Sequence, residues 1–78
     1  MPITTLTQLK PDEIGVIQHL ELPVETRGKL LELGFCPGER LRVVRRSPFG
    51  GPIEVELLGY RLALRRTEAD RISVKCPV

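Results

Sequence analysis

From Leu41 to Leu64 the chain keeps a period of two. Leu41 and Val43 face one way and Arg40, Arg42 and Arg46 the other. A Ser47-Pro-Phe-Gly-Gly-Pro52 loop follows, and then Ile53, Val55 and Leu57 alternate with Glu54 and Glu56. Gly59 interrupts the run, which resumes from Tyr60 with Leu62 and Leu64 on the apolar side. Successive strand residues point to opposite faces, so this stretch predicts three short strands, each with one wet face and one buried face.

The N-terminal half is less regular. Leu6 and Leu9 stand one 3₁₀ turn apart behind Thr5, and Lys10-Pro11-Asp12-Glu13 reads as a turn with proline setting its first corner. A strand is expected from near Glu13 through Ile14 to Leu22, in which Gly15 marks either a bulge or a close backbone approach. Pro23 suits the first position of a helix, and Arg27 to Gly34 supplies about two turns of good helix formers apart from Gly28. Gly34 stands where a left-handed residue ends a helix, with Phe35 folding back onto Leu30, so Leu30, Leu33 and Phe35 are assigned to the core. Cys36-Pro37-Gly38-Glu39 carries the signature of a type II turn. Thr67-Glu-Ala-Asp70 predicts one capped helical turn, and Ile72-Ser-Val74 a closing strand.

Five short strands in 78 residues must bury their apolar faces with little chain to spare, since a domain this small hides only roughly 60% of its unfolded surface. A flat open sheet would leave the inward leucines and valines poorly covered. The expected fold is therefore mainly β: one domain over 1–78, a small SH3-like five-stranded barrel with a short α-helix inserted after the first strand.

Composition narrows the function. No apolar run approaches the ~18 residues of a membrane span, and Met1-Pro-Ile-Thr-Thr5 has neither the basic nor the apolar region of a secretory leader. Two cysteines allow at most one bridge, which fits a reduced, cytoplasmic setting. With one His, one Tyr and no Trp, the chain has no cluster of nucleophile and base within one element, and a binding module is expected rather than an enzyme. Charge is uneven: residues 1–39 hold three basic and six acidic side chains, residues 40–78 nine and four, and nine of the twelve basic residues are Arg.

Arg27-x-Lys-Leu-Leu-Glu-Leu-Gly-Phe-x-Pro-Gly38, then Val43-Val44, the Pro48-Phe-Gly-Gly-Pro-Ile53 loop and Leu62-Ala-Leu-Arg-Arg-Thr-Glu-Ala69 together resemble the FeoA family over nearly the whole chain. The departures are Asp12 where the family often has Gly, Gly28 within the helix, and Cys36 at a usually aliphatic place. The resemblance implies a cytoplasmic, non-enzymatic accessory protein of ferrous iron uptake. Its implied partner is FeoB, a ferrous-iron permease with a cytoplasmic GTP-binding domain, through which the protein would be recruited to the inner face of the membrane. Related domains end the DtxR-type repressors, but the chain has no room for their helix-turn-helix, so no DNA is expected.

The expected contact region joins the Phe35-Cys36-Pro37-Gly38 turn to the loop carrying Pro48 and Phe49, with Arg45 and Arg46 steering approach. Arg65 and Arg66 form a basic edge that either docks an acidic surface or stays solvated beside Glu68 and Asp70. No catalytic residue, cofactor or dedicated metal site is expected, because His19, Cys36 and Cys76 are far apart in sequence. Weak divalent-metal binding and weak self-association stay open. The alternatives are a regulatory module binding RNA or another protein, and a weak metal carrier. Pairing of outward Arg40, Arg42 and Arg46 with Glu54 and Glu56, and the scarcity of aromatic platforms, count against RNA.

Overall fold

The computed structural model describes residues 3–76. Six antiparallel strands form one curled sheet: β1 (Ile3–Thr5), β2 (Ile14–Leu20), β3 (Arg40–Arg46), β4 (Ile53–Leu57), β5 (Tyr60–Leu64) and β6 (Ile72–Lys75), in the order β1-β6-β2-β3-β4-β5. Helix α1 (Val24–Glu32) lies between β2 and β3, and the single turn α2 (Arg66–Ala69) between β5 and β6. This is the mainly-β, SH3-like arrangement read from the sequence, with one strand more. β1 pairs with β6, Ile3 opposite Lys75. Three residues are too few to show a period, and their partner lies at the other end of the chain.

Among the described residues the sheet does not close, because β1 and β5 are its unpaired ends. The predicted 3₁₀ turn at Leu6–Gln8 packs against α2, and Leu6 and Ala69 are fully buried. Among the described residues fifteen apolar side chains, including Ile17, Phe35, Leu41, Val43, Ile53, Val55, Leu64, Ile72 and Val74, make a single core. Among the described residues no helix is long and apolar enough to cross a membrane.

Two irregularities set which side chains face out. Gly15 is the close approach, not the bulge: a Cβ there would meet Leu9 Cδ1 at 3.0 Å and Val74 Cβ at 3.1 Å. The β2 irregularity falls between Ile17 and His19, in the pairing with β6. In β3 a second register shift lies between Val43 and Arg45, so Arg45 stands opposite Glu54 and Arg46 opposite the buried Ile53. One extra residue reverses the alternation beyond it. Arg46 therefore does not share the outward face of Arg42, as the unbroken period implied; its guanidinium donates to the Leu9 carbonyl at 3.3 Å.

Candidate functional site

Helix α1 ends as its sequence dictates. Gly34 takes φ +99, its N–H donates to Leu31 O at 3.0 Å, and the Phe35 N–H donates to Leu30 O at 2.9 Å. These are the two hydrogen bonds of a Schellman cap. The reversal carries Phe35 into the core, where it has no exposed surface, beside the buried Leu30. Phe35 is thus not a contact residue on the surface, and Leu33, expected inside, is 43% exposed at the helix end. The next turn is type II as predicted, with Gly38 at φ +96 and the Glu39 N–H on Cys36 O at 3.0 Å. Cys36 is half-buried, its Sγ 3.7 Å from Leu31 O, while Pro37 and Gly38 are exposed.

Across from this helix end lies the β4–β5 hairpin. Its two turn residues, Leu58 and Gly59, both have positive φ, +51 and +83, the signature of a type I′ turn. Leucine has no side-chain hydrogen bond to offset the left-handed backbone, which costs about 1–2 kcal/mol for an L-residue. Leu58 is 61% exposed and lies against Gly34. Leu58 thus covers Gly34 at a helix end whose Leu31 and Leu33 are also exposed, at 38% and 43%. Leu31 also lines a groove of about 490 Å³ with His19, Leu20, Glu21, Arg27 and Pro37. Sequence reasoning missed Leu58, since the period of two placed it on the wet side of β4. The available signal was Leu-Gly occupying a two-residue turn that ordinarily takes Asn-Gly.

The other candidate region is the β3–β4 loop. Pro48 starts a 3₁₀ turn, Phe49 has φ +59, and the Ser47 N–H closes the loop on Pro52 O at 3.1 Å. A Cβ on Gly51 would sit 2.7 Å from Ser47 Cβ, so the loop has little room to rearrange. At its tip Phe49 is 104% exposed. Arg65 and Arg66 stand beside the loop, lining a groove of about 300 Å³ with Gly50, Gly51, Pro52 and Thr67. The helical turn expected at Thr67–Asp70 begins one residue earlier, at Arg66, with Glu68 Oε1 accepting from the Arg65 N–H at 3.0 Å.

The structure places the loop that carries Pro48 and Phe49 beside Arg65 and Arg66, through Gly50, Gly51 and Pro52, but it separates that loop from the Cys36–Gly38 turn. Gly38 precedes β3 and Pro48 follows it, and the seven residues of β3 span about 20 Å at roughly 3.3 Å per residue. The single contact region expected from the sequence is therefore two regions, at opposite ends of the β3–β4 pair.

Between them runs a charged face. Arg42 donates to Asp12 Oδ1 and Glu56 Oε1, each at 3.0 Å. Arg45 reaches Glu54 at 3.5 Å, and Arg61 reaches Glu56 at 3.6 Å and Glu54 at 3.9 Å. The hydrogen bond from Arg42 holds the Glu56 carboxyl below its ordinary range. Asp12 itself has φ +72, a conformation that Asp tolerates better than most residues. Arg45, expected as a steering charge, is half of an ion pair, and Arg46 is tied to the backbone. Arg65 and Arg66 form no ion pair among the described residues. Among those residues, too, no three of His, Cys, Asp and Glu converge as metal ligands, and Cys36 and Cys76 are free thiols.

Comparison with known proteins bears on this geometry. The model of the FeoA domain matches residues 4–76. A Porphyromonas gingivalis protein, an Fe(2+) transport protein A/Fe(2+) transporter FeoB fusion, is 31% identical over 70 residues, 90% of this chain; the chain spans 8% of that relative. The solution structure of FeoA from Chlorobium tepidum superposes with a TM-score of 0.91 at 33% identity, covering 96% of this chain and 71% of that one. The crystal structure of zinc-complexed FeoA from Stenotrophomonas maltophilia, a procaryotic SH3 domain protein, gives 0.79 at 34% identity, covering 92% and 89%. FeoA domains are small SH3-like accessory domains of ferrous iron transport and not enzymes. On its sequence and on its fold, the chain belongs to the FeoA domain family.

Proposed function

We propose that the protein is a docking subunit of ferrous iron uptake that binds the cytoplasmic part of a FeoB-type permease through Leu58 and the exposed leucines of the helix end at Gly34. The observation that carries this reading is Leu58, a large apolar residue held in a left-handed turn, mostly exposed, against a helix end that exposes Leu31 and Leu33 as well. Backbone strain and exposed leucines are both unfavourable in a free monomer, and a partner that buries these leucines offsets the cost. The Porphyromonas gingivalis fusion supports the choice of partner, because joining the two proteins in one chain raises their effective concentration.

Modulation of the permease requires more than contact. The protein shifts the GTPase between nucleotide states only by the difference of its affinities for them. A two-dimensional NMR titration of the labelled chain with the permease's GTP-binding domain, nucleotide-free and loaded with GDP or a GTP analogue, tests both statements. Shifts centred on Leu31, Leu33, Gly34 and Leu58, differing between nucleotide states, are expected. The absence of shifts at high micromolar concentration, or shifts confined to other surfaces, overturns the reading.

A further inference from the structure

The opposite end of the molecule has a different chemistry. Phe49 is the one exposed large apolar side chain among the described residues of the β3–β4 loop, and no aliphatic residue of that loop accompanies it. Around it are prolines, glycines and the Arg65-Arg66 pair, with the Gly50 Cβ position 4.0 Å from Arg66 Cδ. Glu68, the nearest carboxylate in sequence, is engaged by the Arg65 amide rather than by either guanidinium. The loop is closed by a hydrogen bond and carries a proline at each end, and this backbone presents Phe49 outward.

We propose that this end seats on an anionic phospholipid surface, with Arg65 and Arg66 at the headgroup phosphates and the Phe49 ring in the interfacial layer. Charge complementarity supports it. Both arginines lack ion-pair partners among the described residues, in a half of the chain that carries nine basic and four acidic side chains. Guanidinium groups bind phosphate bidentately, and juxtamembrane basic clusters are attracted to anionic leaflets. Shape supports it as well. A protein interface buries a packed group of anchors inside a rim, whereas this end offers one convex aromatic knob, which a fluid interface accommodates without a matching pocket. Two basic residues and one ring make the attachment weak and reversible, as single membrane-binding signals are.

The test is co-sedimentation of the full chain with vesicles of phosphatidylglycerol and phosphatidylethanolamine, against vesicles of phosphatidylcholine alone. At low salt, retention on the anionic vesicles is expected to exceed that on phosphatidylcholine by at least about tenfold, and to fall steeply toward 0.5 M NaCl, where surface charge is screened. R65Q/R66Q is expected to lower retention about tenfold, and F49N, which suits the left-handed backbone, severalfold. Both variants should keep the thermal unfolding midpoint of the parent. Because the chain has no tryptophan, F49W supplies a local reporter whose emission shifts to the blue on anionic vesicles. No retention on those vesicles, retention unchanged by the substitutions, or an F49W spectrum that stays as in buffer overturns the proposal. So does binding of a poly-glutamate peptide by Arg65 and Arg66 without any vesicle binding, which assigns them to an acidic protein surface. No permease is present in the experiment, so its outcome is independent of the docking reading.

Discussion

Leu58 rests on Gly34 so closely that a Cβ built at position 34 would stand 2.5 Å from Leu58 Cδ1. One left-handed residue, in a hairpin turn, thereby covers another, at a helix end.

Gly34→Ala therefore meets two obstacles at once, a backbone at φ +99 and a side chain in its path. The variant is expected to lose about 1–2 kcal/mol from the left-handed conformation alone, or roughly 4–16 °C in Tm for a domain of this size. Thermal unfolding followed by circular dichroism measures it, and an unchanged Tm means that Leu58 and the helix end yield freely.

Leu58→Asn separates stability from docking. Asn-Gly is the preferred pair in a type I′ turn, and the leucine is more than half exposed. Stability should stay level or rise by up to about 1 kcal/mol, while affinity for the permease domain falls at least about tenfold, the loss typical of a central apolar anchor. Denaturant melts and the NMR titration together read both signs; a parallel fall in stability would show that Leu58 is a packing residue.

The two phenylalanines should behave oppositely. Phe35 is fully buried and Phe49 fully exposed. Phe35→Ala is expected to cost about 3–5 kcal/mol, enough to unfold much of a small domain, and Phe49→Asn to change stability by less than about 0.5 kcal/mol. Urea unfolding of the two variants checks the pair.

Glu56 gives a signed pH dependence. The hydrogen bond from Arg42 lowers its carboxyl below the ordinary 4.5, because it favours the charged form. A group whose folded pKa is depressed contributes stability above its unfolded pKa and loses it as pH falls through the folded one. The stability difference between the parent and Glu56→Gln, taken from urea midpoints at successive pH values, should thus hold from neutrality to about pH 5 and shrink as pH drops below 4.5. A difference that does not vary with pH would mean that the Arg42 pairing is not populated.

Much of this fold was legible because it is written in residues with distinctive backbone preferences. Pro37 fixes its φ, Gly34 and Gly38 take the positive φ that other residues avoid, and the Schellman cap and type II turn stand where those residues put them. The strand pattern of β4 was equally plain. The bulge in β3 was not, because two adjacent valines, Val43 and Val44, satisfy either phase of an alternating pattern, and the phase decides whether Arg45 or Arg46 faces Glu54. Residue types also carried the candidate contacts, Pro48, Phe49, Arg65 and Arg66 among them. Distance did not: residues 36–38 and 48–49 look like neighbours in sequence, yet an extended strand places them at opposite ends of the sheet.

The pairing of β1 with β6, Ile3 against Lys75, brings the first and last strands side by side. A domain whose entry and exit strands adjoin can be spliced to a larger polypeptide at either end, or inserted within one, through a single point of attachment and without disturbing its far side. The gene fusion found in the Porphyromonas gingivalis relative is thus a rearrangement to which the topology offers little resistance. The same adjacency makes the chain a natural candidate for circular permutation.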